Sequence, residues 1–272
     1  MSKHINNFVS RTIDDNAHHG ITKQFSIIFG SATADYVSPN MDKFQVTLNN
    51  PIAVPKEANS CDVALYGANI WNSSPNIVTG VNDVFSYIIN GVPASVIIPE
   101  GLYSLSDYSQ TINQLIGNTT DFIFTGNSAT QKVTIETDNN RQIDFTQPFS
   151  QRDILGFNSQ VVPPLNTPLD FTTIAPNIAN FNNVNAFLVT MDLLNDGLPV
   201  NAISGSILAQ VPIIAPPNSL IYYEPASPIF IQTDQIIGKT ISQINFGLTN
   251  ELLNPIKVRE DWAITVSIRY EY

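Results

Sequence analysis

The end of the chain alternates apolar and polar side chains without a break. Trp262, Ile264, Val266, Ile268, Tyr270 and Tyr272 fall on one side, and Thr265, Ser267, Arg269 and Glu271 on the other. A period of two sends successive side chains to opposite faces of a strand, so this segment is predicted to be a long strand with one buried face and one polar face. The same alternation sets Phe44, Val46 and Leu48 against Gln45, Thr47 and Asn49 and stops at Asn50-Pro51. Val63, Leu65, Tyr66, Ile70 and Trp71 predict a further strand, and 185–193, 206–214, 219–224, 229–232 and 241–248 predict more. Turn formers punctuate them at Asn195-Asp196-Gly197, Ala215-Pro216-Pro217-Asn218 and Ala226-Ser227-Pro228. Short strands between such breakers, with no sustained helical pattern after Phe157, predict an antiparallel sandwich or barrel.

Between residues 81 and 157 the pattern changes. Ser104-Leu105-Ser106-Asp107 opens a predicted helix in which Leu105, Tyr108, Ile112, Leu115 and Ile116 share a face and Gly117 closes the end. Residues 121–125, 131–137 and 141–145 read as short strands. Ser150-Gln151-Arg152-Asp153 reads as a capping box ahead of Ile154, Leu155 and Phe157. The block has its own apolar set, which predicts an α+β insertion domain over 82–160 within a sandwich built from 24–81 and 161–272. Residues 1–23 show no sustained periodicity and read as a flexible arm.

Composition narrows the function. With 43% hydrophobic and 13% charged residues in 272, the chain can fill a core. Twelve Lys and Arg against 23 Asp and Glu leave a charge of −11, which repels a phosphate backbone and argues against nucleic-acid binding. No basic residue lies between Lys56 and Lys132 or between Arg152 and Lys239. Cys61 is the lone cysteine, so intrachain disulfides and cysteine-rich zinc modules are excluded. No apolar run approaches the roughly 18 residues that span a bilayer, and the polar start lacks a signal-peptide core. A soluble protein of a reducing compartment, without membrane contact, is the expectation.

Candidate chemistry is sparse. All three histidines, His4, His18 and His19, lie in the arm, so the body of the chain has no histidine for general-base or ligand duty, and an enzyme is not expected. Cys61 leads a predicted buried strand and reads as a structural thiol. Gly238-Lys239-Thr240 ends like a phosphate-binding loop, but the position five before Gly238 is Thr233 where that loop requires glycine. Glu136, Asp138 and Asp144 could meet across a hairpin, although solvated edge charges account for them better than a hydrolytic pair. Asn195-Asp196-Gly197 lacks the alternating oxygen ligands of a calcium loop. Asn72-Ser73-Ser74 and Asn118-Thr119-Thr120 match the glycosylation sequon, which a chain without a signal segment would not present to that machinery. No catalytic, cofactor-binding or metal-ligating residue is therefore assigned, and no cofactor is expected.

The order of motifs resembles one family. Met41 to Leu48, Pro51-Ile52 and Asp62-Val63-Ala64-Leu65 resemble the N-terminal strand pair of penton (vertex) capsid proteins of virophages and Polinton-like viruses. Ile98-Pro99-Glu100-Gly101-Leu102-Tyr103-Ser104, Gln142-Ile143-Asp144-Phe145 and Asp153-Ile154-Leu155-Gly156-Phe157 are similar to their middle segment. Leu208-Ala209-Gln210-Val211-Pro212, Tyr222-Tyr223-Glu224-Pro225 and Asp261-Trp262 through Tyr272 are similar to their closing strands. The resemblance spans the chain from about residue 40 and rests on order and spacing, since each motif alone is short. It implies a mainly β protein, a single jelly roll carrying the small α+β insertion. It also implies a structural subunit of the virion, assembled inside the host cell. The expected partners are four further copies in a homopentamer at each fivefold vertex, the neighbouring capsomers of a double-jelly-roll major capsid protein, and a host receptor met by a projecting insertion. The rival reading is a carbohydrate-binding sandwich in which Trp71, Tyr222 or Tyr223 stacks on sugars.

Overall fold

The computed structural model describes residues 21–117, 121–138, 140–164, 171–182, 184–195, 197–199 and 206–272. Four strands lead: β1 (Thr22–Gly30), β2 (Tyr36–Val37), β3 (Lys43–Ala53) and β4 (Ser60–Trp71). The chain continues through β5 (Val84–Ile89), β6 (Val92–Ile97), helix α1 (Leu105–Ile116), β7 (Phe122–Asn127), β8 (Lys132–Thr137) and β9 (Arg141–Asp144). A single turn, α2 (Arg152–Leu155), then β10 (Val161–Val162) and β11 (Phe171–Ile174) follow. It closes with β12 (Ala186–Met191), β13 (Ile207–Pro212), β14 (Leu220–Tyr223), β15 (Ile231–Gln232), β16 (Thr240–Thr249) and β17 (Ala263–Glu271). Two compact units result: the chain up to Ser73 together with Val184–Tyr272, and Ser74–Asn183.

In the first unit one sheet runs β1-β17-β4-β14, with β15 also on β4, and the other runs β13-β12-β16-β3-β2. All pairs are antiparallel. With β2 set aside and β14 and β15 taken as one interrupted strand, eight strands remain. The first, eighth, third and sixth form one sheet; the fifth, fourth, seventh and second form the other. That order is the double Greek key of a jelly roll. The fold is therefore mainly β, a jelly-roll sandwich with an α+β segment inserted between its third and fourth strands.

The alternation at the C-terminus sets the register. Ile264, Val266 and Ile268 lie opposite Ala68, Leu65 and Val63 of β4, all buried. Just ahead of the strand, Trp262 is buried, with its ring 4.5 Å from Phe44 and its indole N–H donating to the Met41 carbonyl at 2.8 Å. Phe246 continues this aromatic line, 5.2 Å from Phe44 and 4.8 Å from Phe29. Fully burying one such side chain stabilises the fold by about 1.5–3 kcal/mol.

The outer face of β17 departs from the expectation of a polar, solvated face. Ser267 is fully buried: its hydroxyl donates to the Phe25 carbonyl at 3.2 Å and accepts from Gln24 Nε2 at 3.0 Å. Arg269 lies over the Phe230 ring at 3.7 Å and its Nε donates to Asp62 Oδ2 at 2.9 Å, while Tyr66 meets the same ring edge-on. The connection from β14 to β15 brings Phe230 over this face, which strand periodicity alone cannot anticipate. The arm also ends earlier than residue 23. Thr22 and Lys23 pair with Glu271 and Tyr270, and the Lys23 ammonium sits 5.0 Å from the Tyr272 ring centroid. Residues 1–20 lie outside the described part, and the expectation for the arm rests there.

The second unit carries two sheets, β10-β9-β5-β6 and β11-β8-β7, and helix α1. Ser104 and Asp107 cap α1 reciprocally and Gly117 ends it with φ 79°, as the sequence predicts. Tyr108 and Ile112 are buried, but Leu115 is exposed. The expected capping box at 150–153 does not form: Gln151 is the residue at the cap of α2, and the Ser150 hydroxyl donates instead to the Phe145 carbonyl. The hairpin β5–β6 had no clear signature, because β6 is exposed along nearly its whole length and needs no apolar alternation. The unit runs wider than 82–160. Ile77 is fully buried in its core and bridges to Gly101, while β11 pairs with β8 and Ala175 is buried beside them.

Candidate functional site

The residues singled out for chemistry do not converge. Cys61 is wholly buried on β4, and burial pushes its thiol up from the ordinary value. Its carbonyl accepts from the Thr233 amide and hydroxyl, and its amide donates to Asp234 Oδ1. The backbone N–H groups of Gly238 and Lys239 donate to the carbonyls of Val54 and Ile236, so this turn presents no phosphate cradle. Glu136 and Asp144 belong to different sheets, on β8 and β9, and form no hairpin pair. Burial tends to raise the Asp144 carboxyl, but hydrogen bonds from Thr146 and Gln147 outweigh it and hold the group below its usual value. Asn72 donates through its carboxamide to the Ala215 carbonyl, and Ser73 is buried against the Arg259 amide. His4, His18, His19, Asp196 and the sequon at 118–120 lie outside the described residues. Among the described residues no three His, Cys, Asp or Glu side chains gather as a metal site would require, and no helix is long and apolar enough to cross a membrane.

What the jelly roll does present is apolar surface at both edges of one sheet. On β1, Ile28 faces outward opposite Thr265 and is 57% exposed. On the far edge, Leu220 of β14 pairs with Trp71 of β4, and Tyr222 pairs with Asn69 on the same face. Leu220 and Tyr222 are exposed at 47% and 68%, and Trp71 is partly exposed beside them. The Tyr222 hydroxyl donates to Glu224 Oε2 at 2.9 Å, which raises its pKa. Tyr223, the third aromatic considered for stacking, turns inward and packs against the core.

The second unit holds a cleft of about 310 Å³ between the 78–82 loop, the 147–154 segment and Asn180. Phe149 stands half exposed on its rim with φ 60°, a left-handed backbone that bulky residues rarely adopt. Its carbonyl explains why it stays there, because it accepts from both the Val84 amide and the Gln151 carboxamide. Gln151 is itself buried, donates to the Asn82 carbonyl at 2.7 Å and accepts from the Tyr108 hydroxyl at 3.3 Å. Burial pushes that phenol well above its ordinary pKa, so it remains a donor. Asn82 clamps the opposite wall, accepting from the Val78 amide and donating to the Asn76 carbonyl. The only sequence signal for this cleft was an aromatic in a turn, Gln147-Pro148-Phe149-Ser150, which periodicity arguments pass over.

No family model matches the chain, and no curated protein does. Among solved structures, the mavirus penton protein is similar over 91% of this chain and 99% of its own, with a TM-score of 0.46 and 11% identity. A chain in the cryo-EM structure of the Sputnik virophage is similar over 90% of this chain and 97% of its own, with a TM-score of 0.40 and 14% identity.

Proposed function

We propose that this chain is a structural protein of a virion, the penton subunit that closes the fivefold vertices of an icosahedral capsid as a homopentamer. The observation that carries the reading is unlike exposed apolar surface on opposite edges of the β1-β17-β4-β14 sheet, Ile28 on β1 and the cluster of Leu220, Tyr222 and Trp71 at β14. A ring closes through heterologous contacts, in which each subunit offers two different faces to its neighbours. Exposed apolar residues along sheet edges are a liability in a free monomer, and a neighbouring copy relieves it. The motif order adds support, since most of the family-like segments fall on β3, β4, β9, β13, β14 and β17, with Ile98 to Ser104 between β6 and α1 and Asp153 to Phe157 on and just after α2. Major capsid capsomers are the outer partners in this reading, and the role is architectural instead of catalytic.

Sedimentation of the purified full chain is expected to give a particle of five copies. The few hot-spot residues near the centre of an interface cost about 2 kcal/mol or more each when truncated. Leu220→Glu combined with Tyr222→Glu should therefore dissociate the ring into folded monomers. A parent protein that stays monomeric at high concentration overturns the proposal, and a monomer retained on a glycan column through Trp71 and Tyr222 favours the lectin reading.

The insertion is proposed as a separable module. Asn76 donates to the Phe181 carbonyl at 2.9 Å, so the two ends of the unit lie side by side and a short linker can replace it. A chain with 74–183 replaced by a Gly/Ser linker should fold and still assemble; insoluble protein with every linker length would contradict this.

A further inference from the structure

We infer that the cleft in the second unit is a carbohydrate site that takes a neutral sugar residue through its hydroxyl groups. A volume of about 310 Å³ lies at the small end of ligand sites, which run from about 300 to 1,000 Å³, and suits one or two pyranose rings. The lining suits that chemistry. Gln147 and Asn180 bring carboxamides, and Gln147 keeps its oxygen as an acceptor while its nitrogen donates to Asp144. Arg152 and Asp153 stand side by side, 3.6 Å apart, and offer a fan of donors next to acceptors. Each sugar hydroxyl both donates and accepts, so neighbouring hydroxyls satisfy such mixed groups together. Phe149 and Val81 are exposed apolar surface on the same cleft, the complement of the C–H face of a pyranose.

Other ligand classes fit worse. Asp153 beside Arg152 cancels the positive field that a phosphate or carboxylate would need. A wholly apolar ligand would strip water from the carboxamides and the ion pair without replacing those hydrogen bonds. The strained Phe149 backbone agrees with a binding role. Left-handed conformations of bulky residues persist only where surrounding contacts over-determine them, and here two donors hold one carbonyl to present a ring to solvent. The inference stands apart from the pentamer: it concerns this unit alone.

Saturation-transfer NMR and calorimetry on the full chain test it, with glucose, galactose, mannose, fucose, N-acetylglucosamine, N-acetylgalactosamine and sialyllactose as probes. At least one neutral sugar should bind saturably with a Kd of about 1 mM. Phe149→Gly and Arg152→Ala should each weaken it by about tenfold or more, whereas Trp71→Ala with Tyr222→Ala should leave it unchanged. Glycine adopts a positive φ without strain, so Phe149→Gly should melt no lower than the parent, which separates lost binding from lost folding. The inference fails if no neutral sugar saturates, if binding survives both cleft substitutions, if it follows Trp71 and Tyr222, or if only sialyllactose binds.

Discussion

Val266→Asp is expected to leave the jelly-roll unit unfolded. Val266 is 1% exposed and lies opposite Leu65 at the centre of the sheet. Removing it forfeits about 1.5–3 kcal/mol of burial. The carboxylate adds the cost of an unpaired buried charge, which by itself reaches several kcal/mol. Against a typical net stability of about 5–15 kcal/mol, the sum removes most or all of the margin. The neighbours on β17 give the internal comparison. Thr265 is only half-buried, so Thr265→Asp should cost little. Ser267→Asp should destabilise, because it sets a carboxylate against the Phe25 carbonyl in a position without solvent. Thermal melts of the three variants should rank Thr265→Asp highest and Val266→Asp lowest. A Val266→Asp protein that melts like the parent would show the face assignment to be inverted.

Arg141→Ala is expected to destabilise the second unit by about 3–5 kcal/mol, the cost of leaving a buried charge without its partner. Arg141 Nε lies 3.0 Å from Asp121 Oδ1, and the two side chains are only 18% and 4% exposed. The pair joins residues at the starts of β9 and β7, which belong to the unit's two different sheets. Asp121→Leu combined with Arg141→Met should recover most of the loss, since well-packed apolar replacements of buried ion pairs are often neutral or better. Hydrogen exchange at β7, β8 and β9 reads the effect directly. Full protection in Arg141→Ala would show that the pair contributes nothing to holding the sheets together.

The folding class, the main strands of the sandwich and the helix of the insertion were legible in the sequence because each depends on local rules. Strict alternation at 262–272 marks a half-buried strand, and Ser104, Asp107 and Gly117 mark the ends of a helix by hydrogen bonds made within a few residues. The capping box at 150–153 matched its pattern and still did not form, because the Ser150 hydroxyl donates to the Phe145 carbonyl and Gln151, held by Asn82 and Tyr108, takes the cap position. Strand β6 was silent because an exposed hairpin arm needs no apolar face. The pairing order that makes a jelly roll, the burial of Ser267 against Gln24 and the Phe25 carbonyl, the packing of Phe230 on Arg269, and the cleft around Phe149 join residues tens to hundreds of positions apart. Their energies come from burial and hydrogen bonds that exist only once distant segments meet, so only the tertiary structure decided them, whereas periodicity and capping were already determined by neighbours along the chain.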